Sequence, residues 1–454
     1  MSASAYLTDV DYPRHFHRET MPVWLASVMT ALGRRALDLA RPYVWLELGC
    51  GSGLNAVIAA AANPRGQFIG IDFNERAIAQ AQALAAAAGI GNVRFHVMRF
   101  DGDASLLPLC DFIVCHGVYS WVAPAERQAI QRIVASRLKP AGLLYLAYMS
   151  QPGASAFAAA QRFMRLATAR QAGDSAQRAT AGLALLQRMA QGGAGYFVEH
   201  PAALREVERM AAQGNADYLA HELLNAHWDA LHVADVMQDM DTADCDYAGS
   251  ALPLDNIDAV SLPANTQPLL AELRQGGADT AQLETFKDIA RNQNQRRDLY
   301  QRRGAHSQLT ADEHRAALLA QRWRLLPAAA AQATAGSGSG ELAFDTRIGP
   351  VRLPLAHAAP LLDALRQGPQ SYAELAGLPA YARQPGFLNP LLQCLAWSGW
   401  VHALRTDGPV TASDDAQLQR LNALLADGLD IAHGPLQAVA DIGSAVPRPA
   451  PAAR

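Results

Sequence analysis

Three glycines at alternate positions, Gly49, Gly51 and Gly53, follow an acidic residue, Glu47, and enclose Cys50. The apolar run Val44 to Leu48 reads as a buried strand, and the alanine-rich stretch Leu54 to Ala62 as a helix. A strand, a glycine turn and a helix start make a nucleotide-type site. Glycine lets the backbone approach a ligand closely, and the helix N-terminus offers free N–H groups and the positive end of a dipole. A second acid, Asp72, ends the apolar strand Gln67 to Ile71 and is followed by Phe73. A carboxylate at that strand tip can accept both hydroxyls of a ribose. The spacing excludes two common loops. A G-x-G-x-x-G fingerprint needs a small residue at position 54, where Leu54 stands, and the Gly-Lys-Ser/Thr of a Walker loop is absent.

The elements that must position these residues follow in a regular rhythm. Val93 to Val97 reads as a third strand, Asp111 to Cys115 as a fourth and Gly142 to Tyr148 as a fifth. Helical stretches near 54–62, 75–88 and 124–138 separate them. Strand and helix in alternation mean an α/β fold, a doubly wound parallel sheet with right-handed crossovers. Within that frame, E-x-G-x-G-x-G resembles motif I of the class I S-adenosylmethionine (AdoMet) methyltransferases. The resemblance implies a Rossmann-like sheet, AdoMet as cofactor, and an acid after the third strand that holds the adenine amino group. Phe100-Asp101-Gly102-Asp103 stands there, which makes Asp101 the candidate, beside Gly102, with Asp103 in reserve. The alternative is a doubly wound domain whose loop acids serve only turns and solubility.

Composition narrows the function. The chain has 454 residues, enough for about two to four domains, half of them hydrophobic and 18% charged. A net charge of −4 gives no electrostatic footprint for nucleic acid, and no Asn/Asp-Pro-Pro-Tyr/Phe sequence of base-modifying enzymes is present. The five cysteines form no C-x-x-C pair, so neither zinc nor a disulfide framework is implied and a reducing cytoplasm fits best. The N-terminus carries Asp9 and Asp11 before any long apolar run, so no signal peptide is expected. The uncharged stretch Ala141 to Gln161 is broken by Gln151-Pro152-Gly153, so no membrane span is expected either.

Further phrases resemble a narrower family. Asp11-Tyr12-Pro13-Arg14-His15-Phe16 and Pro22-Val23-Trp24-Leu25 precede the glycine loop, and His116-Gly117-Val118-Tyr119-Ser120-Trp121-Val122 follows the fourth strand. Tyr218-Leu219-Ala220-His221-Glu222-Leu223-Leu224-Asn225 and Ala248-Gly249-Ser250-Ala251 come later. Together they look like the bacterial methyltransferases with an appended regulatory domain, a group that includes outer-membrane-protein lysine methyltransferases. The resemblance runs from about residue 10 to about residue 400. It implies a protein side chain, a lysine amine favoured, as methyl acceptor. One departure stands out: Tyr148-Met149-Ser150-Gln151-Pro152-Gly153-Ala154 replaces the expected Tyr-Asn-x-x-Pro-Gly-Trp, so the Asn and the Trp are missing.

Methyl transfer from a sulfonium is an in-line displacement with an already activated donor. The protein has to position the acceptor and exclude water. A lysine acceptor, with an ordinary pKa of about 10.4, must also lose a proton, through desolvation or a nearby Tyr or His. The loop after the fourth strand lies at the carboxyl edge of the sheet, where ligands bind in open α/β folds. His116, Tyr119 and Trp121 are therefore the acceptor-side candidates, Tyr119 first; the alternative is a packed aromatic turn supporting the cofactor. Tyr12 is expected in a lid over the cofactor, against a packed N-terminal helix as the alternative, and His17 is read as a packing residue. The pair His15/His17 has no acidic or Cys companion at metal-ligand spacing, so no metal is expected.

Residues 1–40 are expected to form the lid and a helix, 41–150 the AdoMet-binding core, and 151–335 a helical insertion and regulatory region that returns strands to the sheet near Asp244 to Tyr247 and Gln295 to Tyr300. Tyr218 and His221-Glu222 either face the site from this insertion or cap and pack helices. The run Gly336 to Gly340 begins a linker over 336–342. Residues 343–442 read as a small winged-helix-like module for a protein partner or a homodimer, since the helix 387–397 has no basic residue to hold nucleic acid. Residues 443–454 read as a disordered tail. Two alternatives to protein methylation are methylation of a small molecule and a non-catalytic AdoMet-binding regulator.

Overall fold

The computed structural model describes residues 7, 9–304, 307–327, 340–384, 386–408, 411–432 and 434–448, with the backbone alone at Asp427. An extended segment crosses the molecule before helix α1 (Pro22–Ala31). There follow β1 (Tyr43–Leu48), α2 (Leu54–Ala62), β2 (Gly66–Asp72), α3 (Glu75–Ala88), β3 (Val93–Val97), β4 (Cys110–Cys115), α4 (Pro124–Arg137) and β5 (Leu138–Met149). Five helices then form a bundle: α5 (Ala158–Thr168), α6 (Ser175–Gln191), α7 (Gly195–Glu199), α8 (Pro201–Gln213) and α9 (Ala216–Leu223). The chain returns through α10 (Val233–Thr242) and β6 (Cys245–Ser250), passes α11 (Asp258–Ser261), α12 (Gln267–Gln275) and α13 (Thr280–Arg291), and enters β7 (Gln295–Arg302).

The sheet has the strand order β3-β2-β1-β4-β5-β7-β6. The first five strands are parallel, and β7 lies antiparallel between β5 and β6. This is the Rossmann-like class I sheet expected from the sequence, with the order reversing between β1 and β4, the position where open α/β sheets bind ligands. The central strands are apolar on both faces, as parallel strands covered by helices must be. Residues of alternate parity point to opposite faces. Trp45, Phe112, Val114, Tyr145 and Leu299 pack on the face covered by α1, α2 and α3, while Leu46, Ile113, Cys115, Leu144 and Tyr300 pack on the face of α4 and α10. The helix starts are locally encoded: the Asn74 side chain accepts the amides of Arg76 and Ala77 at α3, and Glu126 accepts the amide of Ala123 at α4.

The bundle has its own core of Met164, Leu183, Leu186, Val207, Met210 and Leu223. Its chain breaks after α6 at Gly192-Gly193, as the sequence suggests. The C-terminal part departs from expectation in two places. After α14 (Ala311–Ala320), strand β8 (Arg322–Leu325) forms the centre of a three-stranded antiparallel sheet. The module therefore takes its middle strand from before the glycine–serine run, whose residues 336–339 lie outside the described residues. A hairpin of β9 (Glu341–Thr346) and β10 (Gly349–Pro354) leads into α15 (Ala359–Arg366), β11 (Gln370–Ser371), α16 (Tyr372–Ala376), α17 (Pro379–Ala382), α18 (Leu388–Trp397) and β12 (Val401–Ala403). Helix α19 (Ala412–Asp427) precedes a second hairpin, β13 (Leu436–Val439) and β14 (Ser444–Pro447).

That hairpin corrects the expected tail. Ala445 and Val446 are buried, and the Asn63 side chain donates to the Gly443 carbonyl at 2.9 Å, so the segment is held by α2 rather than solvated. Residues beyond 448 lie outside the described residues. Among the described residues, no helix is long and apolar enough to cross a membrane, and Ala141 to Gln161 divides between β5, a turn and α5.

Candidate active site

The glycine turn between β1 and α2 is left-handed at Gly49, Gly51 and Gly53. At Gly53 a Cβ would lie 2.6 Å from Ala81 Cβ and 2.7 Å from the Phe95 ring, so only glycine permits this helix start. At Gly51, by contrast, nothing lies within 4 Å of an added Cβ, so the backbone is open towards a ligand. Asp72, at the tip of β2, accepts the Gly51 amide and the Asn74 amide, each at 2.9 Å, and burial raises its pKa against those two bonds. Phe73 follows, half-buried. Cys50 is buried against Gly70, and burial raises its thiol well above its ordinary value, so it stays protonated.

Glu47 is buried beneath the turn. Its Oε1 accepts Asn55 Nδ2 at 3.2 Å, while Oε2 has no hydrogen-bond partner among the described residues. Burial, opposed by the Asn55 bond and reinforced by Asp72, pushes its pKa up to about 8. An acceptor oxygen without a donor, beside an open glycine and a helix N-terminus, suits a ligand that carries an ammonium and a carboxylate. These residues are of the kind that would hold the amino-acid end of AdoMet.

The segment before α1 forms a strap over this edge. Asp11 pairs with Arg76 at 2.6 Å, the His17 amide donates to Asn55 Oδ1 at 2.9 Å, and Glu19 pairs with Arg297 of β7 at 2.8 Å. Tyr12, the expected lid residue, is exposed and lies against His15, Tyr218 and His221, so it joins the strap to α9. Tyr218 and His221 of the insertion thus reach the strap, while Glu222 is raised to about 7 by burial, with Arg209 opposing.

His116 follows β4 on the same face as Tyr145. Its Nδ1 shares a 2.8 Å hydrogen bond with the Tyr145 hydroxyl, and its ring stacks on His17 with centroids 3.5 Å apart. Burial, then His17 and Arg297, holds its pKa well below the usual range, so it is neutral at pH 7. Burial alone would raise the Glu19 carboxyl, but the Arg297 guanidinium, with His17, holds it below its ordinary value. His17 is therefore not merely a packing residue, as the sequence suggested.

Nor does His17 lack companions. His17, Glu19 and His116 offer ligand atoms within 4.8 Å of one another. Sequence spacing hid this because His116 lies about a hundred residues away. Two features work against an ion there. The imidazoles stack at 23°, so their in-plane lone pairs run side by side rather than converging, and Arg297 already occupies Glu19.

Tyr119 does not join this group, which corrects the expectation that it reaches the methyl group. Its side chain packs on the opposite face of the sheet, fully buried. The hydroxyl donates to Asp239 Oδ2 and accepts from Gln131 Nε2, both at 2.9 Å, which ties the loop to α10 and α4. Trp121 stands edge-on to Trp228, centroids 6.4 Å apart, where the loop meets the insertion. Asp101 is exposed at the rim and paired with Arg99 at 3.0 Å, and with Gly102 it borders a recess under α4. Asp103 instead caps the turn after it, accepting the Ser105 amide at 2.9 Å. Glu19, Asn55, Tyr145 and Arg297 escaped the sequence reading. Asn55 carried a legible signal, a polar residue within an alanine-rich buried helix; Arg297 carried none, since three arginines crowd Arg296 to Arg302 with no motif.

Known proteins agree with this architecture. Residues 41–215 match the methyltransferase domain family and residues 215–302 the predicted methyltransferase regulatory domain. The uncharacterized protein sll1526 of Synechocystis sp. is 31% identical over 371 residues, 82% of this chain and 70% of that protein. The uncharacterized protein RP028 of Rickettsia prowazekii is 32% identical over 146 residues, 32% of this chain and 58% of that protein. Among solved structures, PKMT2 from Rickettsia typhi in complex with AdoHcy superposes with a TM-score of 0.64 at 19% identity, covering 87% of this chain and 77% of that one. A second structure of PKMT2 gives a TM-score of 0.67 at 18% identity over 96% and 86%. The chain belongs to the class I S-adenosylmethionine-dependent methyltransferases that carry a methyltransferase regulatory domain.

Proposed function

We propose that this enzyme methylates a protein amine, the side chain of lysine, and that the strap face of the sheet is its active site. The observation that carries the reading is His116: a neutral, enclosed imidazole, hydrogen-bonded to Tyr145 at the carboxyl edge beside the glycine turn. An ammonium has no lone pair for attack, so an amine acceptor must first lose a proton, by desolvation or to such a group. Bound AdoMet supplies a methyl group on a sulfonium, already activated for displacement. Glu47 would receive the ammonium of that cofactor, Asp72 the ribose hydroxyls, and Asp101 the adenine edge. With its proton on Nδ1, directed at Tyr145, His116 offers Nε2 as acceptor to the amine, whose own pKa the same enclosed site lowers by desolvation. The amine nitrogen would then bond to the methyl carbon as the carbon–sulfur bond breaks, leaving the electron pair on sulfur.

The family resemblance and the size and fold of the chain support a protein acceptor. The resemblance to outer-membrane-protein lysine methyltransferases implies one. The helical bundle and the C-terminal module offer more surface than a small acceptor needs, and the fold is similar to that of PKMT2. The missing Asn and Trp after β5 bear on acceptor choice: here Gln151 donates to the Ala230 carbonyl at 2.9 Å, and the loop is fastened to the insertion. The test is incubation with methyl-labelled AdoMet and a size-fractionated lysate, followed by mass spectrometry. Label on lysine in a discrete protein band is the expected result. Label confined to small molecules, or tight AdoMet binding with no label at all, would overturn the reading.

A further inference from the structure

The C-terminal module grips the strap at both ends. Arg18 is sandwiched between two tryptophans, its guanidinium carbon 4.9 Å from the Trp24 ring centroid and 4.8 Å from that of Trp397 at the end of α18. It also donates to the carbonyls of Ala396, at 3.3 Å, and Trp397. Four residues earlier, Arg14 bridges to Ile431, and the Ala432 amide donates to the Arg14 carbonyl at 2.9 Å. His15 and His17 lie between these anchors. The Trp397 ring faces a second cation as well, Arg297 at 5.9 Å, the residue that holds Glu19.

The module itself is fastened to the cofactor-bearing helices. Arg405 donates to the Ala62 carbonyl at the end of α2 at 2.7 Å, and Arg420 to the Ala88 carbonyl at the end of α3 at 3.0 Å. The strap cannot order itself in this way. Its regular structure is a single 3-10 turn over Arg18–Thr20, so conformational entropy favours its release unless something outside it holds it. Two aromatic faces on a desolvated guanidinium are a strong hold, stronger than the same contact in water.

We propose that Trp397 is a positioning residue: by clamping Arg18 and Arg297 together, the C-terminal module holds Glu19 and His17 over His116 and so keeps the active site closed. The catalytic part of this proposal rests on the strap-face reading above; the clamp itself does not. The test uses the full chain and amide hydrogen exchange with S-adenosylhomocysteine as probe, alongside transfer of label into lysate protein. Trp397→Ala should speed exchange at residues 14–20 by about tenfold or more while β1 and β4 keep their protection. Turnover should fall roughly 10- to 100-fold, the scale of a misplaced catalytic group, and Trp397→Phe should restore both.

Unchanged strap exchange in Trp397→Ala would overturn the proposal, as would a loss of protection spread evenly over the sheet. If Trp397→Ala does not fold, Arg18→Lys decides, since it keeps the charge and loses the flat face that the sandwich needs. Faster strap exchange in that variant supports the clamp, and wild-type exchange rejects it. Failure of the wild type to label any protein would count against the lysine reading and leave the exchange result standing.

Discussion

The two faces of the sheet at β7 each bury an arginine against carboxylates but satisfy it differently. Arg296 and Asp298 point to one face, Arg297 to the other. On the first, all three Arg296 nitrogens are bonded within 3.0 Å, to Asp298, Asp288, Glu284 and Tyr247, and Tyr148 closes the network on Asp298 at 2.7 Å. On the second, Arg297 has one carboxylate partner, Glu19, while Glu47 keeps an oxygen without a donor and His116 is neutral. A saturated buried network holds a fold and has nothing left to offer a ligand. An unsaturated one is costly unless a ligand completes it. The unmet oxygen of Glu47 separates it from Arg296, whose nitrogens are all bonded, where counting charged residues would not.

Breaking the saturated side should have the largest effect. Arg296→Ala leaves Asp288, Glu284 and Asp298 buried without their shared cation, and should cost about 3–5 kcal/mol of stability by denaturant titration, the scale for breaking a buried pair. A loss under 1 kcal/mol would mean that the network relaxes or hydrates. Next comes the unsaturated side. His116→Gln should lower methyl transfer by about 10²-fold, the lower end for general-base catalysis, with S-adenosylhomocysteine affinity changed only a few-fold in calorimetry. An equal loss of affinity would move His116 to the cofactor side.

Glu47 sharpens the comparison through pH. Its folded pKa, about 8, lies above the ordinary 4.5, so its stabilising contribution is complete below about 4.5 and is lost as pH rises through about 8. Glu47→Gln should therefore stabilise the ligand-free protein by ~1 kcal/mol or more at pH 9 relative to its effect at about pH 4, read as thermal midpoints. Cofactor binding near pH 7 should release a proton in the wild type and none in the variant, measured by calorimetry in buffers of different ionisation enthalpy. The smallest effect belongs to Tyr119→Phe. Loss of its two hydrogen bonds should cost about 1 kcal/mol of stability with turnover unchanged. A large fall in turnover would return Tyr119 to the active site.

Strand and helix positions were legible because their signals are local. Leu54 to Ala62 and Glu75 to Ala88 match the expected helices residue for residue, and the strands that carry Glu47 and Asp72 end where apolar runs meet glycine or acid. The strand near Gln295 was legible for the same reason. The acceptor side was not. His116 and Tyr119 stand three residues apart in one aromatic phrase, and type alone favoured the tyrosine. The strap was half legible: Tyr12 and His15 could be placed before the core, but nothing in their neighbourhood names Arg297 or Trp397.

What the sequence by itself determined is the glycine turn, its two acids and the alternating elements that carry them, the proposed cofactor end, all decided by contacts within a few residues. What only the tertiary structure decided is the proposed acceptor end. His17, Glu19, His116, Tyr145 and Arg297 come from four separated segments, and their meeting depends on which face each side chain takes and on a strap held down by a module nearly four hundred residues away. Local signals carry periodicity and turn chemistry; they carry no record of which distant partner satisfies a buried charge.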